Sequence, residues 1–443
     1  MKKILSFLLI LFFVVTNLNI VLADEIPENV RIGLVSQQKN YIEIKNKKLY
    51  VSCNENFLNC EFDTEKKFSV SIAKKFYINT EKFYFTYNDA LSAKKNYSSS
   101  IVYLNESGLF LIYVGGYENL ESAQFANINL NGKIISPEQN KLILSADEKN
   151  VLIFDSNCPQ FMSNEFIQIG DRKYRGVIKF GVFDLQSITP INILPFEEYL
   201  YSVVPSEMYS FWPQEALKAQ AVAARTYAIN KMKTHVHKNC DLCDTVHCQE
   251  YLGITRETER VNKLVDETKN LCIYYKNKPI EALFFSSSGG PTENSENVFV
   301  TALDYLRSVP QINETARTWT REFKFSEIEK LLADKKIYIG NVLGIQILSL
   351  LPSGRVNEMI IIGTNGEKKL SGEGTKSFFA KTKNGSLESR FFEIQNTNDS
   401  IIFSGRGSGH GVGMSQYGAK GMAELGYDFI DILKYYYTGV EVR

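Results

Sequence analysis

Strand-like and helix-like stretches that follow one another along a long chain predict a multidomain α+β protein of mixed strands and helices, with an Ala-rich helix central to its C-terminal domain. Three observations carry that expectation. The chain has 443 residues, more than one hydrophobic core organises, so two or three domains are expected. Short runs of alternating apolar and polar residues recur from Val30 onward, separated by Gly and Asn turns, which is the period of half-buried strands. Past Pro195 the period becomes helical, and residues 214–229 are its strongest instance.

At the N-terminus, Lys2 and Lys3 precede an unbroken apolar or small stretch over residues 4–15. Thr16, Asn17 and Asn19 follow, then Val21, Leu22 and Ala23 ahead of Asp24. A charged start, an apolar segment too short to span a bilayer and a small residue at the cut predict a signal peptide over residues 1–23, and therefore an exported chain. An uncleaved membrane anchor is the alternative. Lys plus Arg equals Asp plus Glu at 50 each, so the surface lacks the basic excess that phosphate binding needs, and nucleic acid is not an expected partner.

Strand-like runs continue through Tyr77, and an internal repeat follows. Residues 83–87 (Phe-Tyr-Phe-Thr-Tyr) precede a short helical pattern over 88–95, and residues 110–114 (Phe-Leu-Ile-Tyr-Val) precede another over 118–126. Each half is an aromatic strand, a polar turn and a helix with Ala and Leu at helical spacing. This resembles the SPOR fold, a small βα repeat that binds glycan strands stripped of their peptides. Residues 24–165 are accordingly expected to be a β-rich, SPOR-like adaptor or glycan-binding region. Further strands are predicted near 141–144, 151–155, 166–169 and 174–183. The Ala-rich helix opens near Ser210 with Pro213 in its first turn, where the missing N–H costs nothing, and Glu215 suits the helix dipole there.

Glu207 lies two residues after Pro205, between Val203-Val204 and Met208, in an expected turn before that helix. A carboxyl with apolar neighbours has a raised pKa, as a general acid requires. Glu215 is the fallback. Two Gly- and Ser-rich runs, 286–290 (Ser-Ser-Ser-Gly-Gly) and 405–421, bring glycines at 405, 407, 409, 411 and 413, which let backbone approach a ligand. No Gly-Lys-Ser/Thr ending supports a phosphate loop, and Ser408 falls one place late for a nucleophile elbow. Three of the seven cysteines fall within residues 240–248, beside three of only four histidines. His235, His237, Cys240, Cys243, His247 and Cys248 are six candidate ligands for one tetrahedral ion, and thiolate with imidazole suits zinc. A disulfide between Cys243 and either Cys240 or Cys248 is the alternative.

Three blocks together carry a specific resemblance: residues 194–228, residues 285–290, and residues 405–421 with Gly-Arg-Gly-Ser-Gly-His-Gly-Val-Gly-Met-Ser-Gln-Tyr-Gly. In this order they resemble the SpoIID/LytB family, which includes the sporulation lytic transglycosylase and amidase-enhancer proteins. The resemblance places a peptidoglycan domain at 166–443. It implies lytic cleavage of glycan strands that leaves 1,6-anhydro-muramyl ends, with Glu207 as acid and base. It also implies a sugar cleft whose candidates are Ser286, Ser287, Ser288, Gly289, Gly290, Arg406, His410, Ser415, Gln416 and Tyr417. Family members of the clostridial type hold zinc at the His/Cys cluster, which favours His237, Cys243, His247 and Cys248 as a structural set, with His235 and Cys240 as alternates. Peptidoglycan glycan strands are the expected partner. A non-catalytic wall-binding protein that stimulates a cell-wall amidase is the rival reading.

Overall fold

The computed structural model describes residues 26–443 except 47, 54–58, 64–66, 138–140, 157, 183–185, 233–238, 381 and 383–384. The predicted signal peptide, His235 and His237 lie outside the described residues. Among the described residues no helix is long and apolar enough to cross a membrane.

A seven-stranded sheet runs, in spatial order, through Leu242–Cys243, Asn29–Gly33, Ile188–Pro195, Val177–Val182, Gln160–Met162, Lys48–Ser52 and Cys60–Asp63. Strands from both sides of residue 165 therefore share one sheet, and one core runs from Val30 to Val440. A ten-stranded sheet holds the repeat region. There Phe76–Tyr84, helix α1 (Tyr87–Lys94), Ser100–Leu104, Phe110–Tyr117, helix α2 (Leu120–Leu130) and Lys133–Ile135 follow in order. The second strand pairs with the third, the third with the first and the first with the fourth, all antiparallel. That is the split βαβ topology. Thr86 and Asn119 cap the two helices by accepting from Asp89 N–H and Ser122 N–H, so each helix starts where a side-chain acceptor replaces the missing carbonyl. The first strand ends at Tyr84 for that reason, and Tyr87, read as strand, opens the helix.

Helices α3 (Phe196–Glu207), α4 (Gln214–Lys231) and α5 (Glu259–Glu267) follow the seven-stranded sheet. Six alanines of α4, from Ala216 to Ala228, have no exposed surface. With so little bulk, neighbouring helices approach α4 closely on several sides. A second core, from Trp319 to Phe403, sits in a separate lobe. It packs helices α6 (Phe325–Asp334) and α7 (Gly374–Ser377) with two three-stranded sheets. The chain then returns to the first core as α8 (Gln416–Glu424) and α9 (Phe429–Tyr436), both against α4. Region 166–443 thus contains two cores.

Cys53 and Cys158 form a disulfide, 105 residues apart in sequence. The cysteine spacing did not single it out. It joins the end of the Lys48–Ser52 strand to the segment after Lys149–Asp155. The other five cysteines are buried and form no disulfide among the described residues. In the chain-entropy account, closing a loop of roughly 100 residues contributes about 3–5 kcal/mol. The double variant C53S/C158S should therefore unfold at clearly lower denaturant than the oxidised protein, and reductant should bring wild type down to meet it. Equal midpoints for oxidised protein and variant would remove the disulfide from the stability account.

Candidate active site and metal centre

Glu207 is the last residue of α3, not a turn residue as expected; Pro205 occupies the final turn and Met208 leaves the helix in an extended conformation. The carboxylate is half-buried. Its Oε1 accepts from the Glu250 backbone N–H at 3.4 Å and its Oε2 from Gln416 Nε2 at 3.3 Å. Burial raises the Glu207 pKa above the ordinary carboxylate value. The two donated hydrogen bonds oppose the shift, the nearby charge of Glu250 adds to it, and burial prevails. Glu215, the fallback, accepts from Phe429 N–H at 3.0 Å and pairs with Lys218, which ties α4 to α9.

Gln416 is thus brought to Glu207, and Tyr417 beside it packs edge-on against Trp212 at 4.9 Å. The other sugar-binding candidates mostly hold each other. Tyr417 N–H donates to the Ser286 carbonyl at 3.0 Å. Glu314 Oε1 accepts from Ser287 Oγ, Ser288 N–H and Gly289 N–H at 2.7, 2.7 and 3.2 Å, while Oε2 accepts from Ser415 Oγ at 2.9 Å. A carboxylate of this chain therefore fills the Ser/Gly cradle. Nothing in the sequence singled out Glu314, a lone acid in an unpatterned stretch.

The glycines of 405–413 likewise admit close approach by the protein itself. At Gly407 (φ +78°) a Cβ would meet the Ser288 carbonyl oxygen at 2.6 Å, and at Gly413 (φ +77°) that of Leu283 at 2.1 Å. His410 accepts from Val412 N–H through Nδ1 at 3.1 Å and lies 3.1 Å from the Phe284 carbonyl through Nε2. Those contacts set the Nε2–H tautomer, and burial lowers the pKa to about 4, so His410 is neutral and both ring nitrogens are engaged. Arg406 is exposed, with its guanidinium 4.1 Å over the Phe391 ring. Gly290 packs on that same ring, where an added Cβ would come within 2.6 Å.

The residues that could hold a metal ion lie on a loop stitched to the first strand. Leu242–Cys243 runs parallel to Ile32 and Gly33. Arg31 donates to both Asp241 carboxylate oxygens at 2.8 and 3.2 Å, and Ser36 N–H donates to Asp244 at 3.1 Å. Cys243 Sγ, Cys248 Sγ and His247 Nδ1 converge, with separations of 3.4, 3.6 and 3.7 Å. Metal–ligand distances of about 2.0–2.3 Å in a tetrahedron put ligand atoms roughly 3.4–3.8 Å apart, so the three atoms fit one zinc ion. The Sγ–Sγ hydrogen bond between Cys243 and Cys248 lowers the Cys243 pKa to about 3 and pushes that of Cys248 up. Cys240 packs instead on Gly33, where an added Cβ would meet its Sγ at 2.8 Å, and is not part of this group.

The SpoIID family (Stage II sporulation protein) matches residues 184–275, which contain α3, α4 and the Cys/His loop, and a Domain of unknown function (DUF8618) matches residues 258–413. The chain is 36% identical over 273 residues to the Stage II sporulation protein D of Bacillus subtilis, which covers 57% of this chain and 75% of that one. It is 33% identical over 321 residues to an uncharacterised protein of Brachyspira hyodysenteriae, with 71% and 83% covered. It is 28% identical over 285 residues to the amidase enhancer of Bacillus subtilis, of which it spans 39%. With that identity and coverage, the chain belongs to the SpoIID/LytB family.

Proposed function

We propose that this chain is an exported lytic transglycosylase of peptidoglycan in the cell envelope, with Glu207 as its single acid/base group. The observation that carries the reading is the half-buried Glu207 carboxyl, oriented by Glu250 N–H and Gln416 and inclined by burial to keep its proton. The protonated carboxyl gives its proton to the glycosidic oxygen as the bond from C1 to that oxygen breaks. The 6-hydroxyl oxygen of the same sugar bonds to C1, and its proton passes to the Glu207 carboxylate. One strand becomes an anhydro end and a free 4-hydroxyl, no water is consumed, and the acid is restored. One carboxyl suffices, unlike the pair of a glycoside hydrolase.

The similarity to the amidase enhancer favours a second reading, in which the chain grips wall and stimulates an amidase without chemistry of its own. The split βαβ unit over residues 76–135 is part of the proposal as a SPOR-like glycan-binding or docking module. Cys243, His247 and Cys248 are proposed to hold structural zinc, with His237 as fourth ligand. The ion would brace the loop that presents Glu250 N–H to Glu207; no step passes through it.

Three outcomes follow. Glu207→Gln keeps the shape and loses the transferable proton, so release of anhydro-muramyl products from amidase-treated sacculi should fall about 10²–10⁴-fold, read by chromatography with mass detection. A wild type that yields none yet stimulates an amidase establishes the second reading.

The same variant also tests the proton. A raised folded-state pKa means the native protein binds this proton more tightly than the unfolded chain. The resulting stability is complete below the unfolded value near 4.5 and is lost as pH rises through the folded value. The thermal midpoint of Glu207→Gln should therefore gain on wild type as pH is raised from about 4 to about 8. A constant difference across that range means that Glu207 does not carry the shift.

For the metal, about one zinc per chain is expected by elemental analysis. It should be absent from Cys243→Ser/Cys248→Ser, whose thermal midpoint should drop because metal-binding free energy is folding free energy. Metal-free protein with Cys243 and Cys248 oxidised to each other contradicts the assignment.

A further inference from the structure

The turn between Glu207 and α4 carries two side chains that the proposed chemistry does not use. Tyr209 is 58% exposed and Phe211 79%, although large rings left in water forgo the gain of burial. They stack on each other, with centroids 5.4 Å apart and planes 23° from parallel. The backbone beneath them is held at several points. Trp212, only 4% exposed, lies 5.6 Å from Tyr209 and edge-on to Tyr417. Its backbone N–H donates to the Tyr209 carbonyl at 3.0 Å. The Arg260 guanidinium donates to the carbonyl of Ser210 and, at 2.9 Å, to that of Trp212. Pro213 then locks the entry to α4. The backbone that carries the rings is held before a ligand arrives, which lowers the ordering cost that binding must meet.

Two routes connect this platform to Glu207. Along the chain, Tyr209 is two residues away, a reach of at most about 7 Å. Through space, Trp212 packs on Tyr417, the neighbour of Gln416, whose amide meets the Glu207 carboxylate at 3.3 Å. A polymer that offers a linkage to Glu207 extends on both sides of it by whole sugar rings. A flat, uncharged aromatic pair matches the C–H face of a pyranose, and the tyrosine hydroxyl adds a polar edge for sugar hydroxyls. We propose that Tyr209 and Phe211 form a sugar-stacking subsite beside Glu207 for one pyranose ring of a β-linked N-acetylhexosamine strand. The identity of that ligand rests on the lytic reading of Glu207; the platform itself does not.

The test uses the full chain carrying Glu207→Gln, so that nothing is cleaved. It is titrated with a β-1,4-linked N-acetylglucosamine hexamer and with amidase-stripped glycan strands, by calorimetry and by Trp212 fluorescence. Saturable binding is expected. Adding Phe211→Ala or Tyr209→Ala should weaken it roughly tenfold, the size of one aromatic contact, with an unchanged thermal midpoint because the rings are exposed. Phe211→Tyr should restore affinity, since it keeps the stacking face. Equal affinity with and without the rings overturns the proposal. So does a lack of saturable binding by the Glu207→Gln protein, or a ring dependence seen only for a bound amidase and not for sugar. Turnover separates this from the lytic reading. If wild type forms no anhydro ends but its glycan affinity depends on Phe211, the subsite stands and the lytic reading fails. If wild type cleaves and Phe211→Ala leaves KM unmoved, the lytic reading stands and the subsite fails.

Discussion

The ion pair between Arg225 and Glu197 is the constraint on which the geometry around Glu207 depends. Arg225 has no exposed surface. Its Nε and Nη2 donate to the two Glu197 carboxylate oxygens at 3.0 and 2.7 Å, and Nη1 and Nη2 donate to the carbonyls of Leu271 and Val265 at 3.2 and 3.3 Å. A buried charge is tolerated only when its donors are matched, and leaving one partner alone costs about 3–5 kcal/mol. The planar guanidinium meets a carboxylate with two parallel bonds, which an ammonium does not. The pair fixes the first turn of α3 to the middle of α4. Glu207 stands at the other end of α3, so its position is inherited from this junction. The alanines of α4 make it possible, because larger side chains would hold α3 and α5 away.

Around that frame, much of the polar and glycine-rich sequence binds itself. Glu314 gathers Ser287, Ser288, Gly289 and Ser415 onto one carboxylate. Ser415 also caps α8 by accepting from Gly418 N–H. The next residue, Gln416, reaches Glu207. One acidic side chain thereby ties two distant loops, 287–289 and the one ending at Ser415, next to Gln416 and so beside Glu207. His410 is spent in the same manner, on Val412 and Phe284. The turn that follows Glu207 carries the exposed rings of Tyr209 and Phe211.

Sulfur does two separate tasks. The disulfide ties two strand ends of the N-terminal half together, across 105 residues. The Cys243–His247–Cys248 group sits on a loop sewn to the first strand by Arg31 and Asp241. The same strand pairs with Ile188–Pro195, which leads directly into α3. The Asn29–Gly33 strand is thus part of the scaffold that carries Glu207.

The sequence by itself determined the elements whose signals are local. Alanine density and Pro213 announce α4, short apolar runs announce the strands near 141, 151 and 177, and the strand–turn–helix repeat announces the unit at 76–135. The motif blocks led to the family, and Glu207 was singled out by its apolar neighbours. Local signals end where long-range pairing begins. Residues on both sides of 165 share a sheet because strand partners are chosen by hydrogen bonding across space. The Cys53–Cys158 bond, the second core and the embrace of Glu314 by two distant loops are likewise invisible to spacing. Tertiary structure also gives His410 and the Gly/Ser loops hydrogen-bond partners within the fold, which spacing does not announce, since a polar residue near a site reads the same in sequence whether its hydrogen bonds go to a ligand or to the fold. That choice is made by which donors and acceptors burial brings within 3 Å of one another.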